Sequence, residues 1–104
     1  MIITFSANAR LHKSARVHSA RTELTLAAII ERGIGTLNAS PNPLVLIDGV
    51  SNRYPGKEPR KNVTVEIDDD YVTAAWTMGL HFDKDIRAIY SAALYWGTKG
   101  GSDA

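Results

Sequence analysis

The chain has 104 residues, 44% of them apolar and 22% charged, a composition that fits one globular domain rather than a fibrous or unfolded chain. It contains no cysteine, which excludes a disulfide scaffold, thiolate metal sites and a cysteine nucleophile. No apolar run reaches the length of a membrane span, and the opening residues lack the pattern of a secretory signal, so a cytoplasmic protein is expected. The net charge of +1 conceals a division. Residues 1–61 carry nine Lys/Arg against four acids, whereas residues 62–104 carry three against seven. Such a division suits an anion at one end or head-to-tail pairing of copies, and equally a chance difference between solvated faces.

Taken in chain order, Ile2 to Ser6 is short, β-branched and aromatic, and reads as a strand. Asn8 to Ser19 is basic and shows no clean period. Thr22 to Arg32 reads as a helix with a broad apolar stripe, capped near Ser14 or Ser19 and ended by Gly33 and Gly35. Asn38 to Pro43 is a loop by composition. Leu44 to Ile47 reads as a strand buried on both faces, and Val50 to Lys61 as a long polar connection. Val63 to Ile67 alternates strictly. Asp68 opens a helix that runs to Phe82, and Ile86 to Trp96 reads as a last strand.

The order is β-α-β-β-α-β. It predicts an α+β, ferredoxin-like sandwich, with a four-stranded antiparallel sheet and two helices on one face. One such domain spans residues 1–97, and residues 98–104 form a disordered tail. No internal repeat is evident beyond an echo of Ser-Ala-Arg at residues 14–16 and 19–21.

Arg10, His12, Lys13, Arg16, His18 and Arg21 lie between the first strand and the first helix, where backbone N–H groups favour an anion. No Walker or dinucleotide glycine pattern is present. The RNA-recognition module shares the expected element order, but it stacks bases on aromatics of its central strands. Val63 to Ile67 has none, so a nucleic-acid partner is not expected. Asp68, Asp69 and Asp70 suit a helix cap better than a cation site, and His12 and His18 are badly spaced for a metal. Between the middle strands, Gly49 to Glu58 presents Tyr54 and Glu58 four residues apart. That pairing suits a cationic ligand or a positioned acid, and also an ordinary surface turn.

Ser6-Ala7 with Arg10, the basic stretch that follows, Gly49…Tyr54…Gly56…Glu58 leading into Val63-Thr64-Val65, and Asp85-Ile86-Arg87-Ala88-Ile89-Tyr90 together resemble the bacteriophage S-adenosylmethionine hydrolase/lyase family. The resemblance implies a PII-like sandwich, a homotrimer with sites between subunits, and anti-restriction activity in the host cytoplasm. Glu58 would be the catalytic carboxylate, Glu66 the alternative acid, and Tyr54, Ser6 and Arg10 substrate contacts. The substrate carboxylate would attack its own γ-carbon, expelling methylthioadenosine and leaving homoserine lactone, or homoserine in a hydrolytic version. Neither metal nor cofactor is needed. Orientation would supply most of the rate, an intramolecular geometry being worth roughly 7–11 kcal/mol. A non-enzymatic inhibitor of a host protein and a PII-like nucleotide-binding module are the alternatives.

Overall fold

A computed structural model describes residues 1–99 of the chain. The elements run β1 (Ile2–Asn8), α1 (Ala9–Thr22), α2 (Leu26–Ala39), α3 (Pro43–Arg53), β2 (Arg60–Glu66), α4 (Asp69–Phe82) and α5 (Ile86–Lys99). The sheet has two antiparallel strands, in register from Ile2↔Glu66 to Asn8↔Arg60. The ferredoxin-like, four-stranded PII-like sandwich is therefore not the fold. Two of its four strands, Leu44–Ile47 and Ile86–Trp96, are helical. Of the tail expected from Thr98 onward, Thr98 and Lys99 close α5, and residues 100–104 lie outside the described residues. No helix among the described residues is long and apolar enough to cross a membrane.

The architecture repeats. Ala9–Thr22 and Asp69–Phe82 lie sixty positions apart, as do Leu26–Ala39 and Ile86–Lys99. Each half is a strand followed by two helices, and each helix pair turns through a residue in the left-handed conformation, Glu23 (φ 60°) and Asp83 (φ 54°). The side chains that start these helices are matched too. Asn8 Oδ1 accepts from the N–H groups of Arg10 and Leu11, and Asp68 Oδ1 from that of Asp70. Thr25 Oγ1 accepts from Ala28, and Asp85 Oδ1 from Arg87. A repeat of caps, with few side chains in common, leaves almost no trace as sequence identity.

Helix α3 belongs to neither repeat. Pro43 starts it at the position where a missing N–H costs nothing, and Ile47 and Val50, one turn apart, are its buried side chains. Val45, inside the run that resembled a buried strand, is 62% exposed. The Trp96 indole N–H donates to the Leu46 carbonyl at 3.2 Å and ties α3 to α5.

The two halves interlock rather than sit side by side. α5 lies against β1, α2 against β2, and α2 and α5 form the central pair. Ile3, Phe5 and Val63 point from the sheet into a core shared with Ile29, Ile30, Ile34, Ile89 and Leu94. Phe5 stacks on Tyr90 with ring centroids 5.3 Å apart. The Tyr90 hydroxyl is buried with no hydrogen-bond partner among the described residues, and burial pushes its pKa up.

Glycine decides how closely the central helices approach. A Cβ on Gly33 would lie 1.8 Å from the Ala93 carbonyl oxygen, and one on Gly97 would lie 1.8 Å from that of Ile29. Backbone meets backbone at both points, so no side-chain rotation can relieve an added methyl. Gly35, two residues from Gly33, faces open space.

These neighbours should respond in opposite directions to the same substitution. Gly33→Ala and Gly97→Ala each force α2 and α5 apart, at a cost of about 1–3 kcal/mol or more. Gly35→Ala, in the interior of a helix with nothing above it, should stabilise by about 0.5–1 kcal/mol. Thermal melting of the three variants checks this.

Candidate functional site

Ser6, Arg10, Tyr54 and Glu58 are far apart in sequence, and the fold gathers them at one end of the sheet. Strand β1 delivers Ser6 and ends in Asn8, which caps α1; Arg10 is on the first turn of α1. Helix α3 ends at Tyr54, and residues 54–59 lead back into β2. The Ala9 N–H donates to the Pro59 carbonyl at 2.8 Å and pins this connection to the start of α1.

Within the cluster the polar groups satisfy one another. Glu58 Oε1 accepts from Asn8 Nδ2 at 2.8 Å and from Arg10 Nε and Nη2 at 3.0 and 2.8 Å. These hydrogen bonds, from Asn8 first and then Arg10, hold the Glu58 carboxyl below its ordinary pKa. A carboxylate stabilised as the anion is a poor proton carrier at neutral pH; its role here is to lock the 54–59 connection onto α1. Arg10 also donates to the Arg53 carbonyl and lies over the Tyr54 ring, 5.0 Å from its centroid. Ser6 is held by Arg60, which donates to its hydroxyl at 2.7 Å and its carbonyl at 2.6 Å. Glu66 stands apart. It is exposed at the far end of β2, opposite Ile2.

A 340 Å³ cleft opens beside this cluster, between the Tyr54–Gly56 turn and the start of α5. Tyr54, Arg60, Asp85 and Arg87 line it, and Glu58 does not. Within it Asp85 pairs with Arg87 at 2.9 Å, and the Arg60 guanidinium donates to the neutral Ser6 hydroxyl.

A row of cations without ion pairs lies on α1. Read as an aperiodic connection, residues 9–22 are a helix that buries only Leu11 and Ala15 and carries no acid. The side chains of Lys13, Arg16 and Arg21 form no hydrogen bond or salt bridge among the described residues. Two grooves flank the helix. One, of 480 Å³, runs between α1 and the end of α5 and is lined by Arg10, Lys13, Ser14, Val17, His18, Arg21, Thr98 and Lys99. On the other flank, Ala9, His12, Lys13, Arg16, Val17, Ala20 and Lys61 line a groove of 560 Å³. Burial, then the charges of Arg16 and Lys61, lower the pKa of His12.

The first groove continues into an aromatic and basic cluster. Tyr54 and Tyr95 are 6.1 Å apart, and Tyr95 packs edge-on against Trp96. Arg53 and Lys99 lie 5.3 and 5.5 Å from the Tyr95 ring centroid. The charge imbalance of residues 1–61 was the available signal for this surface; the helical period that organises it was not visible. No group of three His, Asp or Glu side chains among the described residues is placed to hold a metal ion.

Acid should weaken the fold in two separate windows. The pKa of folded His12 lies below its ordinary 6.5. The unfolded chain therefore takes up that proton first, and stability falls as pH drops through 6.5. Glu58 is likewise depressed below 4.5, so its contribution is complete above that pH and is lost as pH falls through its folded value. Thermal melts from pH 8 to 3 should show His12→Gln flattening the upper window and Glu58→Gln the lower one.

No family model, no curated protein and no solved structure matches this chain.

Proposed function

We propose that this protein binds a single strand of nucleic acid along the groove between α1 and the end of α5. One observation carries the reading. A 14-residue helix presents Lys13, Arg16 and Arg21 without counter-charges among the described residues, and Lys13 and Arg21 line a groove that also holds Arg10 and His18 and, among the described residues, no acid. From Arg10 to Arg21 the helix rises about 16 Å, too long for one phosphate and long enough for several phosphates of a strand. Side chains that only donate, or donate as readily as Ser14 does, match phosphodiester oxygens.

The aromatic cluster at the end of the groove supports a single strand over a duplex. Tyr54 and Tyr95 are half-buried rings with cationic neighbours, the combination on which unpaired bases stack. The expectation against nucleic acid rested on the missing aromatics of a sheet of the RNA-recognition type and on a net charge of only +1. The sheet has two strands, and the aromatics beside the groove are Tyr54, which caps the end of α3, and Tyr95 of α5. The resemblance that implied S-adenosylmethionine cleavage also implied a PII-like sandwich, which this fold replaces, and Glu58, its catalytic carboxylate, is an anion held by Arg10.

Fluorescence anisotropy with a labelled oligonucleotide of about twelve nucleotides tests the reading. Log affinity should fall linearly with log salt, with a slope near −2 for about three neutralised phosphates. Arg21→Gln should weaken binding several-fold and make the slope shallower by about 0.7. Salt-independent binding, or Arg21→Gln indistinguishable from the parent, contradicts it.

A further inference from the structure

Helix α4 occupies in the second half the place that α1 occupies in the first, and its outer face has the opposite character. Asp69, Thr73, Trp76 and Leu80 follow one another at intervals of four, three and four residues, so they share one side of the helix, and Asp83 caps its C-terminal end. Trp76 is 51% exposed and Leu80 81%. Large apolar side chains a turn apart, at such exposure and in a chain this small, mark a surface that is covered by something. The acids at the two ends of the stripe restrict what covers it. Asp69 also holds the Met1 ammonium at 3.2 Å; the Asp83 carboxylate makes no hydrogen bond or salt bridge among the described residues.

A second α4 is a poor partner. Antiparallel pairing about Trp76 would set Asp69 of one copy against Asp83 of the other at both ends. The second groove beside α1 fits instead. Ala9, Val17 and Ala20 line it together with His12, Lys13, Arg16 and Lys61, and among the described residues no acid does. An apolar stripe ended by acids would meet apolar side chains set among bases.

We infer that this chain assembles head to tail, with the Trp76–Leu80 face of α4 in one copy seated in the Ala9–Ala20 groove of α1 in the next. The two faces belong to different helices, so the contact is heterologous. Each added copy leaves one α1 groove and one α4 face open, and growth does not stop at a dimer. The strand-binding groove lies on the other flank of α1 and shares Lys13 and Val17 with this one; the assembly needs no nucleic acid and does not rest on that reading.

Sedimentation of the protein alone, from about 10 μM to about 1 mM, covers the range expected of a small contact between copies. The weight-average mass should climb from 11.3 kDa past that of two chains, and raising the salt to about 0.5 M should reverse the climb. Leu80→Lys, which blocks the α4 face, and Arg16→Glu, which blocks the α1 groove, should each remain monomeric. Mixed in equal amounts they should pair, because each retains the face the other has lost, and should stop at two chains. Both positions are exposed, and circular dichroism verifies that the variants fold; Trp76→Gln and Lys61→Glu repeat the mixing test from neighbouring positions. A wild type that stays monomeric, a wild type that closes as a dimer, or a mixture that fails to pair overturns the inference.

Discussion

The backbone contact between α2 and α5 sets the geometry of everything else in this protein. Gly33 lies against Ala93 and Gly97 against Ile29, at distances that leave no room for a methyl group. Because the helices meet this closely, each can reach the strand of the opposite half, α2 toward β2 and α5 toward β1. The pairing of β1 with β2 then closes a single core around both repeats. A two-stranded sheet is marginal alone, and here it is stabilised by burying Ile3, Phe5 and Val63 on the crossed helices.

The repeat also explains how so small a chain presents two different surfaces. α1 and α4 are equivalent in position, and each buries one side in the shared core, α1 through Leu11 and Ala15 and α4 through Val72, Ala75 and Met78. Their outer faces were therefore free to diverge. α1 carries the basic excess of residues 1–61, whereas α4 carries aspartates and an uncovered tryptophan and leucine. α3, which has no counterpart, supplies Arg53 and Tyr54 and makes one end of the basic groove unlike anything in the second half.

Much of the regular structure can be read from the sequence wherever one period dominates. The alternation of Val63 to Ile67 marks β2, the wide stripe from Leu26 to Ile30 marks α2, and Asp68 announces α4. Three helices were hidden for different reasons. α1 buries one leucine and one alanine, too little apolar surface to show a period. Leu44 to Ile47 is a continuous apolar run, and only Pro43 before it and Val50 after it reveal α3. α5 is rich in Ile, Tyr and Trp, which favour strands, while its true signature is Ile89, Ala93 and Gly97 at intervals of four. Ser6, Arg10, Tyr54 and Glu58 were legible as residues that come together. Their chemistry was not, because the hydrogen bonds that consume Glu58 depend on Asn8 and on the path of residues 54–59.

Chemical-shift mapping most directly tests whether the basic groove is the working surface. A short single-stranded oligonucleotide would be titrated into the isotopically labelled protein at low salt. Shifts confined to the Arg10–Arg21 flank of α1, the last turn of α5 and the Tyr54 turn are the predicted result. Shifts centred on α4 or on the cleft at Asp85 and Arg87, or none at all, would contradict it.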